Sequence, residues 1–94
     1  MRHNLIDVVD DTVTNAEGFR LFTFLDDFIR HERVVELSFK DAHALSSSFL
    51  NSSLGELIAN YGFEKFKTYV KIVDIKQSIA NQLRNYLNSC NLKV

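Results

Sequence analysis

Three consecutive serines, Ser46, Ser47 and Ser48, open the stretch "SSSFLNSSLGELI", directly before apolar residues at helical spacing. A helix N-terminus presents four unpaired amides and a partial positive charge. A serine there can cap the helix, and a phosphate carried or bound there is stabilised. Both uses need the same geometry, and composition alone favours the cap. Ser47, flanked by Ser46 and Ser48, is the candidate phospho-acceptor or anion-binding residue.

The rest of the chain offers little else for catalysis. His3, His31 and His43 are far apart, and none falls in an HxxxH or HExxH spacing, so no metal site is suggested. Gly18, Gly55 and Gly62 make neither a dinucleotide fingerprint nor a Walker loop. Asp10-Asp11 and Asp26-Asp27 are adjacent carboxylates of the kind usually found solvated on a loop or an outer helix face. Lys65, Lys67, Lys71 and Lys76, interleaved with Phe66 and Tyr69, could form a nucleic-acid surface, but a strand with a protected edge explains the same pattern. The expectation is a non-enzymatic protein with no metal or cofactor and no nucleic-acid partner.

These residues need elements to position them. "NLIDVV" (Asn4 to Val9) is short, rich in β-branched residues and bounded by two aspartates, and reads as a strand. "TNAE" is a capping box: Thr14 accepts from the Glu17 amide and the Glu17 carboxylate reaches back. Leu21, Phe22, Leu25, Phe28 and Ile29 then form the apolar stripe of a helix ending near His31. "RVVELSF" (Arg33 to Phe39) alternates Val35, Leu37 and Phe39 against Val34, Glu36 and Ser38, a strand covered mainly on one side. After the serines, Leu50, Leu54, Leu57, Ile58 and Tyr61 predict one helix stopped by Gly62. "FKTYVKIV" (Phe66 to Val73) reads as a third strand with Lys67, Tyr69 and Lys71 on one face. Asp74 is placed to cap a last helix carrying Ile75, Ile79, Leu83, Tyr86, Leu87 and Cys90.

The order is βαβαβα, a small α/β domain with helices packed on a sheet. Ninety-four residues suit one domain, here 1–94, and 46% apolar content with eight Phe against 24% charged residues predicts an ordered core. Cys90 has no second cysteine to pair with and is expected as a packed thiol. No apolar run is long enough to span a membrane, and "MRHNLIDVVDD" meets acids before a signal-peptide core can develop. A cytoplasmic location follows as the default. The net charge of −1 is unevenly spread: residues 1–61 hold 5 Lys+Arg against 10 Asp+Glu, and residues 62–94 hold 6 against 2. Such asymmetry can steer self-association or an acidic partner.

"TNAEGFRLFTFL", "VVELSF" and "SSFLNSSLGELI", in this order and spacing, resemble the STAS-like domain family of unknown function, a bacterial and phage group. Glu17, Gly18 and Leu21 take its x-E-G-x-x-L pattern, Leu37-Ser38-Phe39 its L-D-F with serine in place of aspartate, and Ser48-Phe49 with Gly55 its S-F-x5-G helix start. The resemblance covers about residues 13 to 90. It implies the fold of the anti-sigma-factor antagonists, in which a D-S-x-G segment at this junction carries a serine phosphorylated by a partner kinase. On that pattern Ser46 takes the Asp position, Ser47 the phospho-acceptor and Phe49 the Gly. The resemblance further implies a regulatory protein–protein interaction module, working as a partner switch with a kinase-like ATPase. Its expected contact face runs from Ser47 along the helix, with Phe49, Asn51 and Ser52. The alternatives are a phosphate- or nucleotide-binding module, with His43 and Lys40 as the neighbouring anion ligands, and a phage-encoded structural homo-oligomer.

Overall fold

The computed structural model describes residues 2–92, and side chains as far as residue 89. The Cys90 side chain, expected as a packed thiol, lies outside the described residues. The elements are β1 (Arg2–Asn4), α1 (Leu5–Val8), α2 (Asn15–Arg30), β2 (Val35–Ser38), α3 (Ser47–Ser52), α4 (Leu54–Tyr61), α5 (Phe63–Tyr69), β3 (Val70–Val73) and α6 (Gln77–Leu92). The strands lie in the order β1-β2-β3, all parallel. Leu37 at the centre pairs with His3 on one side and Ile72 on the other.

Parallel strands in sequential order, joined by crossovers of one hand, put both crossovers on the same face of the sheet. Accordingly α2 packs against α3, α4 and α5. The alternation read in β2 holds: Val35, Leu37 and Phe39 are buried beneath these helices with Leu21, Leu25, Phe49, Leu54 and Leu57. The opposite face is polar. Arg2 bridges to Glu36 at 3.5 Å and to Asp74 at 3.3 Å, and Ser38, although fully buried, donates to the Asp74 carboxylate at 3.0 Å. The α/β class and the single-sided cover therefore stand, while four element boundaries change.

The first strand ends at Asn4, not Val9. Leu5 and Val9 are both buried, and the Val9 amide donates to the Leu5 carbonyl at 3.1 Å, so this apolar run is spaced for a helical turn. Ile6, which a strand would have paired, is 45% exposed. The helix after the serines is two helices. At Ser53 the backbone leaves helical geometry (φ −114°, ψ −90°), and its buried hydroxyl donates back to the Phe49 carbonyl at 2.7 Å, a competing bond that bends helices. Gly62 does stop α4, with φ at 92°, a region that glycine enters without steric cost.

Phe66 to Tyr69 belongs to α5 rather than to a strand, so Lys67 and Tyr69 do not share a sheet face with Lys71. Phe63 and Phe66 pack at i,i+3, Lys67 meets Glu64 at 3.3 Å, and the Thr68 hydroxyl bonds the Glu64 carbonyl. Spacing of two and spacing of three to four overlap in so short a segment, and local i,i+3 pairs decide for the helix. Asp74 does not serve as a helix cap: its carboxylate turns back to Ser38 and Arg2, from a residue with φ at 53°.

Leu37 lies at the centre of this core. Leu37→Ala is expected to cost about 2–5 kcal/mol in urea unfolding, the range for deleting a buried leucine side chain. A loss below about 0.5 kcal/mol, the scale of surface substitutions, would show that β2 is not central.

Candidate functional site

The segment that presents the serines is held from three directions. The Leu45 backbone is gripped by the Gln82 side-chain amide, which accepts from the Leu45 N–H at 3.2 Å and donates to its carbonyl. Thr12 donates its hydroxyl to the Ala44 carbonyl at 3.0 Å, and its own carbonyl accepts from the Ser46 amide at 3.0 Å. Ser46 completes the join. Its hydroxyl donates to the Val13 carbonyl at 2.7 Å and accepts from the Phe49 amide at 3.0 Å, capping α3 and tying it to the approach to α2.

That approach is itself ordered by acids. The Asp11 carboxylate accepts from the amides of Val13 and Thr14, each at 3.0 Å, and these bonds hold its pKa below the ordinary value of 3.8. Thr14 caps α2 by accepting from the Glu17 amide at 3.3 Å. The capping box is only half formed, because Glu17 takes the Asp10 amide at 2.6 Å while Asp11 takes the Thr14 amide. A second buttress joins α2 to α4: the Tyr61 hydroxyl donates to Asp26 at 2.5 Å, and that bond raises the tyrosine pKa above 10.0.

The serine triplet therefore divides its work. Ser46 is half-buried and engaged at both ends, whereas Ser47 and Ser48 are exposed, and neither hydroxyl has a hydrogen-bond partner among the described residues. Phe49, expected on the contact face, is fully buried in the core beneath α2 and is no part of the surface. It occupies an inward position of α3 beside Leu50, one turn before the buried Ser53. Ser52 is half-buried, its hydroxyl bonded to the Ser48 carbonyl at 2.7 Å. Asn51 is exposed, but its side-chain carbonyl accepts from the Tyr86 hydroxyl at 2.7 Å and so ties α3 to α6.

Two glycines allow this packing. A Cβ on Gly18 would lie 2.6 Å from the Phe49 carbonyl oxygen and run into the Ser52 hydroxyl, and one on Gly55 would meet the Tyr86 hydroxyl. The helices approach because these side chains are absent. Thr12, Val13 and Gln82, which build the site, were not singled out from the sequence. Gln82 acts across 37 residues, and nothing in local periodicity marks such a partner.

Neither His43 nor Lys40 is hydrogen-bonded to the serine triplet among the described residues. His43 lines two hollows, one of about 410 Å³ with Asp10, Asp11 and Asp41, whose negative charge disfavours a phosphate, and one of about 280 Å³ with Lys76 and Ser78. No group of three or more His, Cys, Asp or Glu side chains among the described residues is placed to hold a metal ion, and no described helix is long and apolar enough to cross a membrane.

The family model described as "STAS-like domain of unknown function (DUF4325)" matches residues 20–80. This is well over half of the chain, which belongs to that family of STAS-like domains. The matched stretch is shorter than the 13 to 90 expected, so Glu17 and Gly18 precede it, while Leu37 to Phe39, the serines and Gly55 lie within it. No curated protein and no solved structure matches.

The division among the serines predicts unequal effects. Ser46→Ala should lower stability by about 0.5–2 kcal/mol, the range for a lost N-cap. Ser47→Ala, which removes no bond, should stay within about 0.5 kcal/mol of the parent. Chemical denaturation of the two variants checks this. Asp11 has a depressed pKa in the folded state, so its bonds stabilise the fold above its unfolded value of about 3.9 and lose that contribution as pH falls through the folded value. A carboxyl NMR titration should place Asp11 below 3.8, and Asp11→Asn should make the acid-induced fall in stability shallower.

Proposed function

We propose that this domain is a non-enzymatic regulatory module acting by protein–protein contact, with the exposed Ser47–Ser48 end of α3 in the contact and phosphate on Ser47 as its switch. One observation carries the reading: Ser46 alone caps α3, which leaves the neighbouring hydroxyls exposed and unengaged at a rigidly held corner. Val13, tied to Ser46 through its carbonyl, is 54% exposed, so apolar surface lies beside the hydroxyls. Polar groups next to an apolar anchor suit a partner protein.

Phosphate on Ser47 would add up to about two negative charges. At the first residue of α3 the helix dipole favours negative charge by about 0.3–1 kcal/mol, so the fold tolerates the change while a docked partner meets new charge. The family resemblance suggests a kinase-like ATPase as that partner, in a bacterial or phage setting and in the cytoplasm.

The test pairs this protein with a kinase-like ATPase from the same genome, using calorimetry for binding and mass spectrometry for modification. Ser47 should acquire phosphate from ATP, and Ser47→Ala should bind like the parent. Ser47→Asp should bind about tenfold or more weakly, a change of about 1.4 kcal/mol, with an unchanged melting temperature. A stably folded Ser47→Asp protein that binds as tightly as the parent overturns the switch.

A further inference from the structure

Apolar hollows at two places on the molecule carry rims of opposite charge. One, of about 680 Å³, lies between α1 and α2, with Val8, Ala16 and Phe24 in its lining and Phe19 at its lip. Phe19 is 61% exposed, the most exposed large apolar side chain among the described residues. On the other side of the same 6–13 segment, the hollow of about 410 Å³ is lined by Ile6 and Val13, which are 45% and 54% exposed. Asp7 is the carboxylate in the first lining, and Asp10, Asp11 and Asp41 line the second. Arg20, a cation in the first lining, is offset by Asp10 and Glu17, each at 3.6 Å. The surface is apolar and carries more carboxylates than cations.

The counterpart lies between α5, β3 and α6. There a hollow of about 320 Å³ is lined by Phe63, Ile72, Ile75, Leu83 and Leu87, and the charged residue in its lining is Arg84. Lys67 stands over the Phe63 ring with its ammonium 5.2 Å from the centroid, a second cation beside the hollow that Glu64, at 3.3 Å, offsets in part. Among the described residues no carboxylate lines it. The linings follow the uneven charge along the chain: Asp7, Asp10, Asp11 and Asp41 belong to its acidic first part, and Arg84, with Lys67 beside it, to its basic second part.

We propose that these surfaces bind each other between two copies of the chain, with Phe19 of one copy entering the Phe63–Leu87 hollow of the next and Asp7 and Asp10 facing Lys67 and Arg84. Apolar contact supplies affinity, and the opposed charges set orientation and reject the acid-to-acid approach. Because the two surfaces differ, the contact is heterologous and adds copies head to tail. The hollows are small, which places the association in the weak class of interfaces and makes it sensitive to salt. The Ser46–Ser48 hydroxyls take no part; the two contacts share Val13, and Phe19, Asp7 and Asp10, which the switch does not use, tell them apart.

Sedimentation equilibrium of the full chain tests this across protein concentration, from about 0.01 M to about 1 M salt, where the Debye length shrinks from about 30 Å to about 3 Å. The average mass should rise with concentration at low salt and return to the 10.8 kDa monomer at high salt. Asp7→Lys with Asp10→Lys should abolish association while melting like the parent; Lys67→Glu with Arg84→Glu should abolish it too and stay folded, melting slightly lower because the Lys67–Glu64 pair is replaced by like charges at i,i+3. All four side chains are exposed. Mixing the two reversed proteins should restore a complex, since their altered surfaces are again opposite in charge. Phe19→Ser should lose association without loss of fold. A monomer at every salt, association unchanged by either reversal, or a mixture that stays monomeric overturns the proposal.

Discussion

The close crossing of α2 and α3 governs most of what this domain presents. Both crossovers lie on one face of a three-stranded sheet, so their helices compete for the same narrow floor above Val35, Leu37 and Phe39. At Gly18 they meet with less room than a side chain needs. That contact brings the start of α3 beside the start of α2, where a single hydroxyl, that of Ser46, bonds both. A serine triplet that would otherwise be a flexible turn is thereby held at a defined corner. Gln82 and Thr12 secure the backbone behind it.

The same one-sided packing explains the electrostatics. A parallel sheet is ordinarily covered on both faces, and here the uncovered face carries Arg2, Glu36 and Lys71. Glu36 lies opposite Arg2 and Lys71 in the register, and Asp74 gathers Ser38 and Arg2 at one end. These exposed pairs contribute little stability individually. They keep the strands from presenting a bare apolar sheet. Ser38, the buried member, has its hydroxyl satisfied by Asp74, as burial of a polar group requires.

Acidic residues at the N-terminal end of α2 have a second consequence. Asp11 and Glu17 are both taken up by backbone amides, which order the turn but leave the region strongly negative beside exposed Ile6, Val13 and Phe19. Lysines and an arginine collect instead around α5 and α6. Carboxylates therefore gather around one apolar surface and cations beside another.

The α/β class, the inward residues of α2 and β2, the Thr14 cap and the stop at Gly62 are all legible in the sequence, because each rests on residues within about one turn of one another. Periodicity and local capping carry that information. Tertiary structure decided the rest. Whether Leu5–Val9 forms a strand depends on how far β2 can offer it a pairing edge, and β2 ends at Ser38. Whether Phe66–Tyr69 forms a strand or a helix depends on i,i+3 pairs in a segment too short for its period to be unambiguous. Phe49 reads as surface or core with equal ease until α2 is laid over it. The choice of Ser46 over Ser47 as the cap follows from which hydroxyl can reach the Val13 carbonyl, 33 residues away. Sequence spacing reports what lies on the same side of one element, and only the packing of elements brings together groups that are distant along the chain.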